Sequence, residues 1–178
     1  MRAALVCLAL VPSVALGQPK APSIFSTFPV PEATKELLFY IQRNKNANTI
    51  VYEARFDAHG KLAAKDPVTV NWIRYTRGGV REPINALESN LAYGVRHKHT
   101  EDGVAWMKFV ASDKYPFRVE VTPEGQAEAR MFINGRYARL RRVEIQAKEE
   151  GFWPKILHVD LHGTEVTTGH AVMERIIP

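Results

Sequence analysis

Residues 127–147 read AEARMFINGRYARLRRVEIQA, and this stretch does most to decide the fold. Two runs of strand-forming residues, Ala127 to Ile133 and Tyr137 to Ala147, flank the dipeptide Asn134-Gly135. Asn-Gly in this position is the strongest short hairpin signal, because both residues tolerate the positive φ angles of a type I′ turn. The stretch therefore predicts two antiparallel strands joined by a tight turn.

The chain on either side of this hairpin also reads mainly as strands. The other predicted strands are Leu37 to Arg43, Thr49 to Asp57, Val68 to Tyr75, Val104 to Ala111, Phe117 to Thr122, Ile156 to His162 and Ala171 to Ile177. With the first pair they make about nine strands on hairpin-length connections, which is typical of an antiparallel β-barrel or β-sandwich. Two of them, Val68 to Tyr75 and Val104 to Ala111, carry apolar residues on both faces, so both faces must be covered.

One helix is predicted between Pro83 and Gly94. Proline suits the first helical position, and glycine suits a left-handed stop at the C-terminal end. Ile84, Leu87 and Leu91 fall on one helical face. We interpret this apolar stripe as a packing surface against the sheet.

The first 36 residues predict an export signal followed by a tether. Arg2, the apolar run Ala3 to Leu10 and the small-x-small site Ala15-Leu16-Gly17 make residues 1–17 a candidate signal peptide. The apolar run is too short for a membrane anchor of about 20 residues, so no transmembrane span is expected after cleavage. Residues 18–36 carry four prolines and predict a Pro-rich N-terminal tether, followed by a single β-rich domain over residues 37–178.

The only cysteine, Cys7, lies inside the segment predicted to be removed. The mature chain would then have no disulfide, cysteine nucleophile or thiolate metal site, and it also lacks any Asn-x-Ser/Thr sequon. These features indicate a bacterial exported protein, periplasmic or extracellular, rather than a eukaryotic secreted one.

The charge balance argues against nucleic acid as a partner. The net charge is +5 at pH 7, and loss of Arg2 would leave +4. Basic residues are interspersed with acidic ones except at Arg136, Arg139, Arg141 and Arg142, whereas nucleic-acid-binding proteins usually show a stronger basic stripe.

Two sets of residues are candidates for a ligand site. Trp72, Arg74, Tyr75 and Tyr93 combine aromatic rings with a positive charge, as ligand pockets often do. The alternation along one strand also puts Arg139 and Arg141 on the face that carries Tyr137, Val143 and Ile145, where arginine can bind a carboxylate or phosphate. In the alternative interpretation, the first set is ordinary core, and the arginines cover the sheet or pair with Glu128 or Glu174.

The histidines offer a weaker case for a metal site. His158, Asp160 and His162 share one strand face, but the two histidines would lie roughly 13 Å apart, too far to bind one zinc ion from a straight strand. We interpret them as a polar outer face opposite Leu157, Val159 and Leu161. His97-Lys98-His99 is interpreted as a solvated turn, with His170 as another possible helper ligand. No metal site, catalytic residue or cofactor is predicted, since nucleophile-elbow, phosphate-loop and dinucleotide motifs are missing.

Several short motifs resemble a known bacterial family. They are Phe39-Tyr40-Ile41-Gln42-Arg43-Asn44, Asn48-Thr49-Ile50-Val51-Tyr52-Glu53, Val70-Asn71-Trp72-Ile73-Arg74-Tyr75, Glu88 with Leu91-Ala92-Tyr93-Gly94, and Gly163 with Thr168-Gly169 and Glu174. Together they resemble DUF4833, a family of uncharacterised exported proteins, over nearly everything from Leu37 to Pro178. The resemblance implies a single exported domain and brings no site residues with it.

These observations lead to one main hypothesis and two alternatives. The main hypothesis is an exported β-barrel-like domain that binds a small or amphipathic ligand without catalysis. The first alternative is a structural or protein-interaction module of the bacterial cell envelope. The second is a hydrolase or metalloenzyme that uses His158, Asp160 or His170.

Overall fold

The computed structural model describes residues 23–150 and 154–178, so the predicted signal peptide lies outside the described residues. The strands are β1 Leu37–Arg43, β2 Asn46–Ala54, β3 Val68–Arg74, β4 Val80–Pro83, β5 Val95–Glu101, β6 Val104–Phe109, β7 Ser112–Val121, β8 Ala127–Ile133, β9 Arg136–Lys148, β10 Lys155–Glu165 and β11 Ala171–Ile176. One short helix, α1 Ala86–Leu91, and two 3₁₀ turns, Ile24–Thr27 and Tyr75–Arg77, complete the described elements. The predicted mainly β fold with one helix is confirmed.

Nine of the strands form a curled sheet in the order β4-β3-β2-β1-β9-β8-β7-β6-β5, which makes a half-barrel. Strand β10 pairs with β9 outside this path, and β11 pairs with β10. The pairing of β1 with β9 is parallel, and the other pairings between the described strands are antiparallel. The half-barrel is thus two antiparallel sheets that meet at β9.

Strand β9 is long enough to serve both sheets. Its first residues pair with β8, up to Arg139 opposite Arg130, and its later residues pair with β1, from Arg142 opposite Tyr40. Strand β10 runs beside almost the whole of β9, from Lys155 to Glu165. The sheet therefore forks where β8 ends and β1 begins.

Aromatic residues close the core between the two sheets. The ring of Phe39 on β1 stacks on Tyr52 of β2, with centroids 4.3 Å apart, and meets Phe109 and Phe117 of β6 and β7 edge-on. The buried Tyr52 hydroxyl donates to the carbonyl of Tyr93 at 2.6 Å. Burial holds the pKa of Tyr52 well above its ordinary value, so the hydroxyl remains a donor.

The outer face of β1 to β3, away from this core, is also covered. Tyr40, Val51 and Ile73 form a second buried cluster there, with Tyr75 packed against it. The Gln42 side chain, 1 % exposed, donates to the carbonyl of Pro29 at 2.9 Å, so the described part of the predicted tether lies against the domain. The expectation that both faces of the central strands are covered is confirmed in β3, where Val68 and Ile73 are both buried.

The predicted turn at Asn134-Gly135 is confirmed, but two strands were not predicted. Asn134 and Gly135 have φ angles of 49° and 73°, as a type I′ turn requires. Strand β4 was not predicted, and the interpretation of His97-Lys98-His99 as a solvated turn is wrong, since these residues belong to β5. There His99 stacks on Trp106 of β6, with ring centroids 6.0 Å apart.

The helix is shorter than predicted, and of its apolar stripe only Ile84 packs against the core. The N-cap of α1 is Asn85, which forms a capping box with Glu88, so the helix begins after Pro83 and not at it. Leu87 and Leu91 are 60 % and 59 % exposed. Gly94 has no positive φ; a Cβ atom there would overlap the carbonyl of Ser89, so close approach rather than a left-handed stop explains the glycine.

None of the helices within residues 23–150 and 154–178 has the length and apolar character needed to cross a bilayer.

Candidate functional site

A group of charged side chains covers the outer face of β9, β10 and β11. We call it the outer charge cluster: Arg142, Glu144, His158, Asp160, His162 and Arg175. In the pairing of β9 with β10, Arg142 lies opposite His162 and Glu144 lies opposite Asp160. In the pairing of β10 with β11, Asp160 lies opposite Arg175. Two carboxylates thus face each other at the centre of the cluster.

Both carboxylates are buried, and arginines neutralise them. Glu144 and Asp160 are each 6 % exposed. Arg175 donates two hydrogen bonds to Asp160, at 2.7 and 2.6 Å, and the Nη2 atom of Arg142 lies 3.0 Å from Glu144. Directly opposed like charges destabilise a sheet, so these arginines are needed to hold the pair in place.

The hydrogen bonds from Arg175 are the main reason that the pKa of Asp160 lies below its ordinary value. Burial works in the opposite direction, and the charges of Arg175, His158 and His162 add to the lowering. Asp160 therefore stays ionised over the neutral range. The predicted polar outer face at His158, Asp160 and His162 exists, but its centre is buried and its partner Glu144 comes from the neighbouring strand.

An open groove of about 390 Å³ lies at one end of this cluster. Its lining residues are Tyr40, Arg141, Arg142, His162, Gly163, Ala171, Val172 and Met173. The Nε atom of Arg142 and the Nε2 atom of His162 are buried and have no hydrogen-bond partner among the described residues. His162 Nε2 lies 3.2 Å from Glu144 Oε2, but not in line for a hydrogen bond. Buried donors without partners cost free energy, and an acceptor at the groove would remove that cost.

A β-bulge puts Arg141 at the groove. On β10 the residues His162 and Gly163 are consecutive, but they pair with Arg142 and Leu140, so Arg141 is the extra residue of β9. The bulge reverses the alternation: Leu140 is buried before it and Val143 after it. The predicted face is therefore wrong for Val143 and Ile145, which lie on the core side, because alternation holds only along an unbroken strand. Arg139 and Arg141 both lie on the side away from the buried Leu140, as predicted.

Arg139 and Arg141, both predicted site residues, lie close together but differ in their partners. Arg139 pairs with Glu128, which also accepts from Arg130 at 2.9 and 2.7 Å, so the alternative of a pair with Glu128 is confirmed for Arg139. Arg141 is exposed and pairs with no carboxylate within residues 23–150 and 154–178. The pKa of Arg141 lies below its ordinary value, mainly because the side chain is partly buried and also because Arg139 carries a like charge nearby. The negative charge of Glu128 acts in the opposite direction. The guanidinium stays charged, as arginine does in proteins.

The other predicted set divides between the two faces of β3. Trp72 contacts Tyr93 edge-on at 5.7 Å, and the Arg74 guanidinium lies 4.0 Å from the Trp72 ring centre. Their polar atoms are taken by internal partners: Trp72 donates to Glu88 at 3.1 Å, and Arg74 pairs with Glu82.

Tyr75 belongs to the cluster on the opposite face, with Tyr40 and Ile73. Three of the four residues therefore meet, and they join α1 to the sheet. A ligand at this set stays a prediction.

A cation is a poor match for the outer charge cluster. Ligand atoms of Glu144, Asp160 and His162 lie within 4.8 Å of one another, a spacing that a metal ion could bridge. Both oxygens of Asp160 already accept from Arg175, however, and Glu144 is paired with Arg142. A divalent ion would have to displace a guanidinium and would add positive charge to a neutralised pair. The donors around the groove fit an anion better.

Sequence reasoning missed Glu144, Arg142 and Gly163 as neighbours of His162. Arg142 and Glu144 lie on a predicted strand, but the register between β9 and β10 cannot be read from either strand alone. The strand predicted for β10 ended at His162, so Gly163 was placed in the connection that follows it. The exposed apolar Met173 opposite His162 offered no signal of its own.

The comparison with known proteins places the chain in a family. No match was found among curated proteins or solved structures. The family model described as a domain of unknown function, DUF4833, matches residues 39–175, which include all of the groove and the outer charge cluster. The chain therefore belongs to the DUF4833 family.

Proposed function

We propose that this protein binds a small amphipathic anion, without catalysis, in the groove at the fork of the sheet. The observation that supports this most is Arg141, a charged guanidinium at the groove with no carboxylate partner in the described part of the chain. It stands beside Arg142 and His162, whose buried donors also lack acceptors. Arginine at such a place binds carboxylate or phosphate through a planar pair of donors.

The opposite wall of the groove suits an apolar tail. Ala171, Val172 and Met173 line it, and the Met173 side chain is 46 % exposed. An unbranched thioether adapts to varied apolar shapes. The volume of about 390 Å³ lies in the range of small-molecule sites. The groove is therefore lined by charged residues from β9 and by apolar residues from β11, and an amphipathic anion requires both kinds of contact.

Calorimetric titration with four probes tests the proposal. Octanoate and octyl phosphate carry both a charge and a tail, octanol carries the tail alone, and propionate carries little more than the charge. We expect the first two to bind and the other two to bind at least about tenfold more weakly, since each lacks one wall's contacts. Equal binding of octanol and octanoate would contradict an anion site, and no binding of either would overturn the proposal.

The Arg141→Gln variant is expected to weaken octanoate binding by about tenfold or more, because a hydrogen bond to a charged group contributes about 1.5–3 kcal/mol. Arg55→Gln is the matched control: Arg55 is exposed and does not line the groove, and its replacement removes the same charge. Titration of both variants at equal ionic strength gives the comparison. If both lose affinity equally, the effect is one of net charge and Arg141 has no special role.

We further infer that binding takes place after export, in the periplasm or outside the cell. Residues 1–17 carry the sequence features of a cleaved signal. Expression of the full chain in a bacterium, followed by fractionation and N-terminal sequencing, is expected to give an extracytoplasmic protein that begins at Gln18. Retention of Met1 in the cytoplasmic fraction would refute this.

The alternative of an envelope interaction module has less support. Such a module needs an exposed sheet edge or apolar patch. Leu87 and Leu91 of α1 are exposed and favour this alternative, but the edges of the half-barrel do not. The edge strands of the half-barrel, β4 and β5, carry charged residues and a proline, namely Arg81, Glu82, Pro83, Arg96, Lys98 and Glu101. These features discourage pairing with another strand.

A further inference from the structure

We propose that the groove binds its anion together with a proton, which is carried by His162. This inference rests on the proposed anion site and adds its regulation. It follows from the charges that surround His162 and from the position of its ring between the groove and the buried carboxylates.

The charged groups around His162 already sum to one positive charge when its ring is neutral. The groups that face it are Tyr40 from β1, Arg141, Arg142 and Glu144 from β9, His158 and Asp160 from β10, and Arg175 from β11. Arg142 and Arg175 neutralise Glu144 and Asp160, as described above. Arg141 is left without a carboxylate partner, so a proton on His162 adds a second positive charge beside it, and the two together attract an anion more strongly.

Glu144 offers a hydrogen-bond acceptor close to such a proton. The Nε2 atom of His162 lies 3.2 Å from Glu144 Oε2, and the side chain is 28 % exposed, while that of Glu144 is 8 % exposed. A small rotation of the ring would let a protonated Nε2 donate to Glu144 or to an anion in the groove. His158, whose Nε2 atom lies 3.8 Å from Asp160, is at the far end of the cluster and does not line the groove.

Binding linkage makes the effect reciprocal. If the proton strengthens anion binding, the anion must strengthen proton binding by the same factor. Histidine is the side chain that ordinarily changes charge between about pH 5 and pH 8. Because the proton is bound at low pH, anion affinity should be highest in acid and fall as the pH rises.

The experiment is a titration of the full mature protein with octanoate at pH values from about 5.5 to about 8. We expect the dissociation constant to rise by about tenfold or more across this range. His162→Gln, which keeps a polar side chain but does not titrate, should bind with a nearly flat profile at the weaker level. His59→Gln, an exposed histidine in a turn away from the groove, should keep the original profile.

Proton uptake provides a second readout that does not depend on a variant. Titration near pH 6.5 in buffers of different ionisation enthalpy should show that protons are taken up as octanoate binds. Binding without proton uptake and with a flat profile would overturn this inference and leave the anion site intact. No octanoate binding at any pH would instead overturn the proposed function and this inference with it.

Discussion

Replacement of Phe39 by alanine is expected to lower the free energy of unfolding by about 3–5 kcal/mol. Phe39 is 1 % exposed and touches the rings of Tyr52, Phe109 and Phe117, so it joins the two sheets that meet at β9. Its loss leaves a cavity between sheets whose backbones are fixed by their own hydrogen bonds. Urea denaturation followed by circular dichroism gives the free energy.

Phe132→Ala is the control for this variant, because it deletes the same ring from a site that is 66 % exposed. The expected change is within about 0.5 kcal/mol, as for most surface substitutions. Similar losses in the two variants would show that Phe39 does not hold the sheets together.

Replacement of Gly163 by alanine is expected to cost about 2–3 kcal/mol through overpacking. A Cβ atom at this position would lie 2.6 Å from Cδ1 of Ile133 and 2.7 Å from the carbonyl oxygen of Arg139. The second contact is with backbone in the middle of β9, which cannot move without disturbing two strands. Octanoate binding should weaken as well, since Gly163 lines the groove.

A double variant separates the two contacts. Ile133→Val removes the Cδ1 atom, at an expected cost of about 0.5–1.5 kcal/mol alone. In combination with Gly163→Ala, the total loss should be smaller than the sum of the single losses, because one overlap is gone. Strict additivity would mean that the Ile133 side chain already moves aside freely and that the backbone contact alone sets the cost.

The strands were predictable where the local pattern and the turn chemistry agree. β1 and β8 were predicted with the bounds they have, and Asn134-Gly135 was predicted with the conformation it has. Strand β5 was missed because its residues are mostly charged or polar, and an edge strand can be so without losing its hydrogen bonds. Gly163 was placed in the connection after β10. The sequence does not distinguish a glycine required for close packing within a strand from a glycine required in a turn.

The site was less predictable than the fold, for a specific reason. One extra residue at Arg141 reverses the face of everything that follows it on β9, and nothing in the residue types marks the bulge. The sequence therefore placed Val143 and Ile145 on the face of Arg139 and Arg141, whereas the bulge turns them to the core side.

The parallel pair of β1 and β9 has a consequence for how the chain folds. Asn44, at the end of β1, hydrogen-bonds Ala147, 103 residues later in the chain. During synthesis, the edge of β1 that pairs with β9 therefore stays unpaired until the ribosome has made most of the polypeptide. Closing so long a loop costs entropy before any contact repays it, so high contact order makes this docking step slow. We therefore expect the sheet to be completed slowly, and only after β9 has been synthesised.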